Sequence, residues 1–206
     1  MSAGSVPAST RLDIEGTANF REVLTTTASG QRMRQGMLYR CDALHTLTAM
    51  GRDELQALGL KLILDLRSAD EARAEPDQLG DLAIPIKQIE IMGGSVQQAV
   101  MAIMSGQVSD SPLGDLYIAI LDSDTAQLGR AVTSIAAAGG PVNVHCTAGK
   151  DRTGLVVALT QLAVGVAEDD VIADYALSGP NLAGAWLDGM RVRVQAYGIH
   201  LDSALL

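Results

Sequence analysis

A thiol, a lysine and an arginine crowd one short stretch of this chain, "VNVHCTAGKDRTGLVV", from Val142 to Val157. Cys146 ends an apolar run, Arg152 follows as the sixth residue after it, and Gly149 and Gly154 punctuate the segment. A strand-length apolar run, a glycine-bearing turn and a helix-length apolar run mark a loop leading from a strand into a helix. Glycine lets successive backbone N–H groups converge, and converging amides at a helix N-terminus bind anions. A cysteine thiol ordinarily titrates near about 8.5, and a helix N-terminus with cations beside it lowers such groups to roughly 3.5–7.5, which gives a nucleophile at neutral pH. Arg152 adds a planar fork that pairs with two phosphate oxygens at once. The expected chemistry is attack of sulfur on a captured phosphoryl group, with Thr147, Ala148, Gly149, Lys150, Asp151, Arg152 and Thr153 as the residues that hold the anion. A Walker-type phosphate loop is excluded, because Asp151 rather than Ser or Thr follows Lys150.

The elements that must position this loop are legible around it. Met37 to Arg40 reads as a short strand, and "LTAMGRDELQALGL" as a helix with apolar Leu47, Met50, Leu55, Leu58 and Leu60, stopped by Gly59. "KLILDLRS" has strand length, and Ser68 with Glu71 has capping-box spacing. "LAIPIKQIEIM" reads as a strand that Pro85 assigns to an edge. Residues 95–105 read as a helix with Met101 and Met104 in its core face, and two more helices follow in "LGDLYIAIL" and "TAQLGRAVTSIAAAGG". "PVNVHC" is a buried strand, Thr153 to Val164 a helix, "EDDVIADYALS" another, and "PNLAGAWLDGMRVRVQAYG" a last one. Strands alternating with helices imply an α/β fold with a central, mostly parallel sheet flanked by helices. In such sheets ligands collect at the carboxyl ends of strands, where Cys146 is expected.

Bulk properties narrow the partners. With 206 residues and 48% hydrophobic content the chain builds one well-packed domain; residues 1–12 read as a loose tail and 13–206 as the domain. The net charge of −9 disfavours nucleic acid and anionic membranes, so an anionic substrate has to be held by a local positive site. No apolar run is long enough to span a bilayer, and "MSAGSVPAST" lacks the basic and apolar regions of a Sec signal. Two cysteines make no disulfide framework, which assigns the chain to the cytoplasm by default, with non-classical secretion left open.

"HCTAGKDRTG" resembles the signature of the cysteine-dependent tyrosine and dual-specificity phosphatases, and "AGKDRTG" more narrowly that of the bacterial atypical branch with dual protein and lipid specificity. "NFREV", "GMLYRCDAL", "LKLILDLRSADE" and "VIADYALS" resemble that branch as well, so the likeness covers most of residues 16–178. The resemblance implies a phosphomonoesterase that needs no metal or other cofactor. Its nucleophile is Cys146, Arg152 and the loop amides hold the equatorial oxygens, a phosphocysteine forms, and water releases inorganic phosphate. It further implies that Thr153 hydrogen-bonds the sulfur. The substrate is a phosphotyrosine protein, with phosphoserine/threonine and, through Lys150, phosphoinositides as further classes. Relatives of this branch usually continue past a segment like "YGIHLDSALL".

The general acid is open at this level. The branch points to Asp65 of "DLRS"; Asp151 inside the loop is the second candidate; Asp110, Asp115, Asp122 and Asp124 lie where many relatives carry an acid, without the flanking Trp-Pro. His145 reads as packing under the loop, Cys41 as a small core hydrophobe rather than a disulfide partner for Cys146, Asn19 and Arg21 as ties to the sheet, and Arg67 with Glu71 as an ion pair where a helix starts. Trp186 reads by default as an anchoring core aromatic, with pocket lining as the alternative, Tyr117 and Tyr175 are similarly ambiguous, and lone His45 and His200 have no metal-ligand spacing. Two rivals stand beside the phosphatase reading: a sulfur or arsenate enzyme with a similar anion loop, and a catalytically silent phosphate-binding module.

Overall fold

The computed structural model describes residue 9 and residues 11–92 and 112–195. The helix expected at 95–105, with Met101 and Met104, lies outside the described residues, as do Asp110 and His200. The 5-stranded sheet runs β1-β2-β5-β3-β4, with β1 (Arg21–Glu22), β2 (Leu38–Cys41), β3 (Leu62–Asp65), β4 (Ile86–Gln88) and β5 (Val142–His145). Only β1 is antiparallel; β2, β5, β3 and β4 pair in parallel. The expected α/β sheet is therefore the one found, and the strand that ends at the nucleophile is its centre.

Strand alternation sorts the core into two layers. Leu38, Leu64, Val142 and Val144 face one layer, with Leu128 and Ala131 from α4 (Thr125–Ala137) and Val156 and Val157 from α5 (Asp151–Ala163). Tyr39, Cys41 and Ile63 face the other, with Phe20, with Leu44 from a 3-10 turn (Leu44–Thr46) and with Leu55 from α1 (Ala49–Ala57). Burying each such aliphatic side chain contributes about 1.5–3 kcal/mol. Met50 departs from its expected core place and is 56% exposed.

Local capping rules hold at the first two helices. Thr48 caps α1 by accepting from Gly51 N at 3.1 Å, and Gly59 leaves the helix at φ +62, a backbone region that favours glycine. Ser68 and Glu71 form the expected capping box at α2 (Ala69–Ala74). The helix α3 (Pro112–Ser123) ends at Asp124, whose buried carboxylate accepts from Met92 N and Ser123 Oγ and so ties two segments together. The helix α6 (Glu168–Ala176) follows α5. The single last helix read from sequence is two, α7 (Ser178–Leu182) and α8 (Ala185–Gln195), because the chain turns between them at Gly184, φ +75.

Three arginines, Arg21, Arg40 and Arg67, are among the largest fully buried side chains. Buried guanidinium groups need partners. Arg40 pairs with Asp174 at 2.8 Å, Arg21 donates to Asp174 O at 3.1 Å and Ser178 Oγ at 2.9 Å, and Arg67 pairs with Asp65 and Asp77 at 2.8 and 2.9 Å. Burial, reinforced by the neighbouring Arg40 charge, pushes Arg21 down to about 9. Among the described residues no helix is long and apolar enough to cross a membrane.

Candidate active site

The segment from Cys146 to Arg152 bridges β5 and α5 at the carboxyl end of the sheet, and its shape is fixed from outside. Ala43 N donates to Thr147 O at 3.1 Å, Asn19 Nδ2 to Ala148 O at 3.0 Å and Gly149 O at 3.3 Å, and Arg40 Nη2 to Gly149 O at 2.9 Å and Lys150 O at 3.3 Å. In a trans peptide the N–H points opposite to the C=O. Drawing the carbonyls of 147–150 outward therefore turns the amides of 148–151 the other way, toward a common centre. Gly149 is needed for this turn: its φ is +65, and a Cβ there would lie 2.0 Å from Cys41 O. At Gly154 a Cβ would meet the Tyr175 ring at 2.9 Å, so this glycine lets α6 approach the start of α5.

Cys146 is 2% exposed and His145 fully buried. His145 Nδ1 lies 3.3 Å from Cys146 O, beneath the loop, and Nε2 lies 3.3 Å from Asp77 Oδ2. Thr153 differs from expectation. Its Oγ1 is buried with no hydrogen-bond partner among the described residues, so the implied bond to the Cys146 sulfur is not formed in this state. Cys41 and Cys146 belong to opposite core layers, and Cys41 Sγ accepts from Asn143 Nδ2 at 3.1 Å; Cys41 fills the core.

Arg152 does not point into open solvent. Its Nη1 and Nη2 each donate at 2.7 Å to Glu71 Oε2 and Oε1, and Thr147 Oγ1 donates to the same Oε1 at 3.0 Å. The expected Arg67–Glu71 pair is thus replaced by two pairings, Arg67 with Asp65 and Asp77, and Glu71 with Arg152. Burial alone would raise the Glu71 pKa, but the Arg152 hydrogen bonds and charge outweigh it and hold the carboxyl at about 2. A carboxylate lowered in the folded state stabilises the fold above its ordinary value of 4.5, and that contribution is lost as pH falls toward about 2. The urea midpoint of the native protein is expected to exceed that of Glu71→Gln at pH 7, with the gap closing between pH about 4.5 and about 2. A gap that stays constant across that window would show that the pair contributes nothing.

The two candidate acids part company. Asp65 ends β3, as expected, but alternation puts it with Ile63 on the layer away from α5, where it is 3% exposed. Arg67 donates to both its oxygens, from Nε to Oδ1 at 2.9 Å and from Nη2 to Oδ2 at 2.8 Å, and Arg67 N adds a third bond at 3.0 Å. Asp151 opens α5 and accepts a hydrogen bond at Oδ1 from the Tyr117 hydroxyl of α3, which is also bonded to the Tyr175 hydroxyl of α6. Burial first, then the Asp151 charge, pushes Tyr117 upward, so it stays a proton donor to that carboxylate. Asp115 and Asp122 are exposed on α3, and Asp124 is spent on structure.

Among the described residues one group, Asp65, Asp77 and His145, offers donor atoms close enough for a metal, and Arg67 already occupies both carboxylates with a guanidinium. Residues 12–197 match the family model described as "Tyrosine phosphatase family". The chain belongs to this family. A tyrosine-protein phosphatase of Nostoc commune is 38% identical over 143 residues, covering 68% of this chain and 48% of that protein. The triple specificity protein phosphatase PtpB of Mycobacterium tuberculosis is 32% identical over 195 residues, covering 82% of this chain and 70% of its own. The chain therefore spans about half the length of the first relative. A crystal structure of P. aeruginosa TpbA in complex with pTyr aligns at a TM-score of 0.49 and 19% identity, over 93% of this chain and 98% of that one.

Two kinds of functional residue escaped the sequence reading. Glu71 was visible as a helix cap and as a partner for Arg67, and Tyr117 only as an aromatic on a helix. The ties that shape the loop, Asn19 and Arg40, carry no local signal of their partners.

Proposed function

We propose that this chain is a phosphomonoester hydrolase that works through a phosphocysteine intermediate on phosphotyrosine proteins. The observation that supports it is the outward tethering of the carbonyls of 147–150, which leaves a ring of amides and the Arg152 guanidinium around Cys146. Such a ring stabilises the equatorial oxygens of a transferring phosphoryl group without rearrangement. In the first step the Cys146 thiolate forms an S–P bond while the P–O bond to the leaving group breaks, and an acid protonates the departing oxygen. In the second step water forms the new P–O bond, the S–P bond breaks, and the acid regains its proton from that water. Inorganic phosphate leaves. No metal enters this scheme.

We assign the acid to Asp151 rather than Asp65. Both Asp65 oxygens are engaged by Arg67, which leaves neither free to meet a leaving group. Asp151 has one oxygen fixed by Tyr117, which leaves the second to carry the transferable proton. Asp151→Asn is expected to slow phenyl phosphate about 10²- to 10⁴-fold while sparing a substrate with a good leaving group such as p-nitrophenyl phosphate. Asp65→Asn is expected to slow both alike, through loss of the Arg67 pairing. The reverse pattern would return the role to Asp65.

Phosphoserine/threonine and phosphoinositide activity extend this reading. They are supported by the name of the PtpB relative and by Lys150 at the start of α5. The deciding experiment is a panel of phosphotyrosine peptide, phosphoserine peptide and phosphoinositide, assayed with a chelator present. Turnover of the first in chelator is the expected result. Turnover that the chelator abolishes would overturn the scheme, and turnover of the first substrate alone would narrow it.

A further inference from the structure

We infer that Tyr117 and Tyr175 are positioning residues that fix the orientation of Asp151 and reserve one of its two oxygens for the transferable proton; this rests on the reading of Asp151 as the general acid. The three side chains come from three helices. Tyr117 of α3 donates to Asp151 Oδ1 at the start of α5, and Tyr175 of α6 bonds the Tyr117 hydroxyl. A phenol has one proton to donate. With the Tyr117 proton given to Asp151 Oδ1, the bond between the two hydroxyls has to be donated by Tyr175. The order is therefore Tyr175 to Tyr117 to Asp151, and Oδ1 is held as an acceptor. A proton on the carboxyl group is left to Oδ2.

The rings are fixed as well as the hydroxyls. Tyr117 and Tyr175 meet edge to face, with ring centroids 6.2 Å apart and an interplanar angle of 84°. The Tyr175 ring also lies against Gly154, where a Cβ would come within 2.9 Å of it. Gly154 is the third residue after Asp151, so the acid and the contact that seats its support share one turn of α5. The Tyr117 bond also gains strength during the reaction. As the Cys146 thiolate forms the S–P bond and the P–O bond breaks, the electron pair stays on the departing oxygen. That oxygen takes the proton from Asp151, which becomes a carboxylate. A hydrogen bond to an ionised acceptor is roughly twice as strong as one to a neutral acceptor, so Tyr117 stabilises the transition state more than the ground state. Tyr117 is not itself the acid: burial, and after it the Asp151 charge, push its pKa upward, and it keeps its proton.

The test measures kcat/KM, which reports the steps through departure of the leaving group, for phenyl and p-nitrophenyl phosphate. The variants are Tyr117→Phe, Tyr175→Phe, Asp151→Asn and the double variant of Tyr117→Phe with Asp151→Asn. Tyr117→Phe is expected to lose about 10- to 100-fold on phenyl phosphate and at most about threefold on p-nitrophenyl phosphate, whose leaving group needs little protonation. Tyr175→Phe keeps the bond to Asp151 and is expected to lose about 2- to 10-fold, on phenyl phosphate alone. In the double variant Tyr117→Phe is expected to add less than about twofold to the loss from Asp151→Asn, because a group that acts through the acid then has nothing to position. Equal losses by Tyr117→Phe on the two esters, no loss on either, or a loss undiminished in the double variant would overturn the inference and leave Asp151 as the acid. A phenyl phosphate loss in Tyr117→Phe that matches that of Asp151→Asn and adds to it would move the acid to Tyr117. Should Asp151→Asn slow the two esters alike, the acid assignment fails and the positioning role fails with it. If Tyr117→Phe does not fold, Tyr175→Phe decides by the same comparison of the two esters.

Discussion

Cys146→Ser is expected to abolish hydrolysis of a phosphotyrosine peptide, lowering kcat by about 10⁵-fold or more, because removing a nucleophile removes the reaction path and not merely a favourable contact. Binding should survive. The loop is shaped by Asn19, Arg40 and Ala43, none of which touches the sulfur, so serine inherits the same ring of amides. A neutral hydroxyl also lacks the negative charge that a thiolate sets against a phosphate dianion. Phosphate binding by Cys146→Ser is therefore expected to be equal to or tighter than that of the native protein, measured by calorimetry. Turnover above about one part in a thousand of native in the purified variant would remove cysteine from the mechanism. A native protein that binds phosphate yet turns nothing over would make the chain a silent binding module.

The second large effect is expected at Arg152. Arginines that stabilise a transferring phosphoryl group are worth about 10³- to 10⁵-fold in kcat. Arg152→Lys keeps the charge and loses the fork. A single ammonium cannot bond both Glu71 oxygens at 2.7 Å and also present a two-point edge to phosphate. The lysine variant is expected to fall by at least about 10³-fold, close to the alanine variant, with KM for the ester raised. Recovery of more than about a tenth of native kcat by lysine would show that charge alone suffices.

What could be read from the sequence was what is local in the chain. The strand, turn and helix around Cys146 are contiguous, so periodicity and two glycines were enough to place them. The Ser68–Glu71 capping box is a local signal within one helical turn and was found where expected. Pairings across the fold were not accessible. Glu71 and Arg152 are 81 positions apart, and nothing in either neighbourhood specifies the other. Asp65 shows a subtler limit. It ends β3, and period-two alternation along that strand puts it on one face with Ile63. Which of the two faces is covered by α5 is decided by the packing of distant helices. The split of the last helix at Gly184 rests on a positive φ that "NLAGAW" does not announce.

The tether from Asn19 to the loop spans 129 positions. Contacts of such long sequence separation form late, since the intervening chain must first be ordered. During refolding, secondary structure and burial of the β5 region should return before esterase competence does. The delay between the two signals would time the docking of the first strand onto a domain whose catalytic end is otherwise assembled.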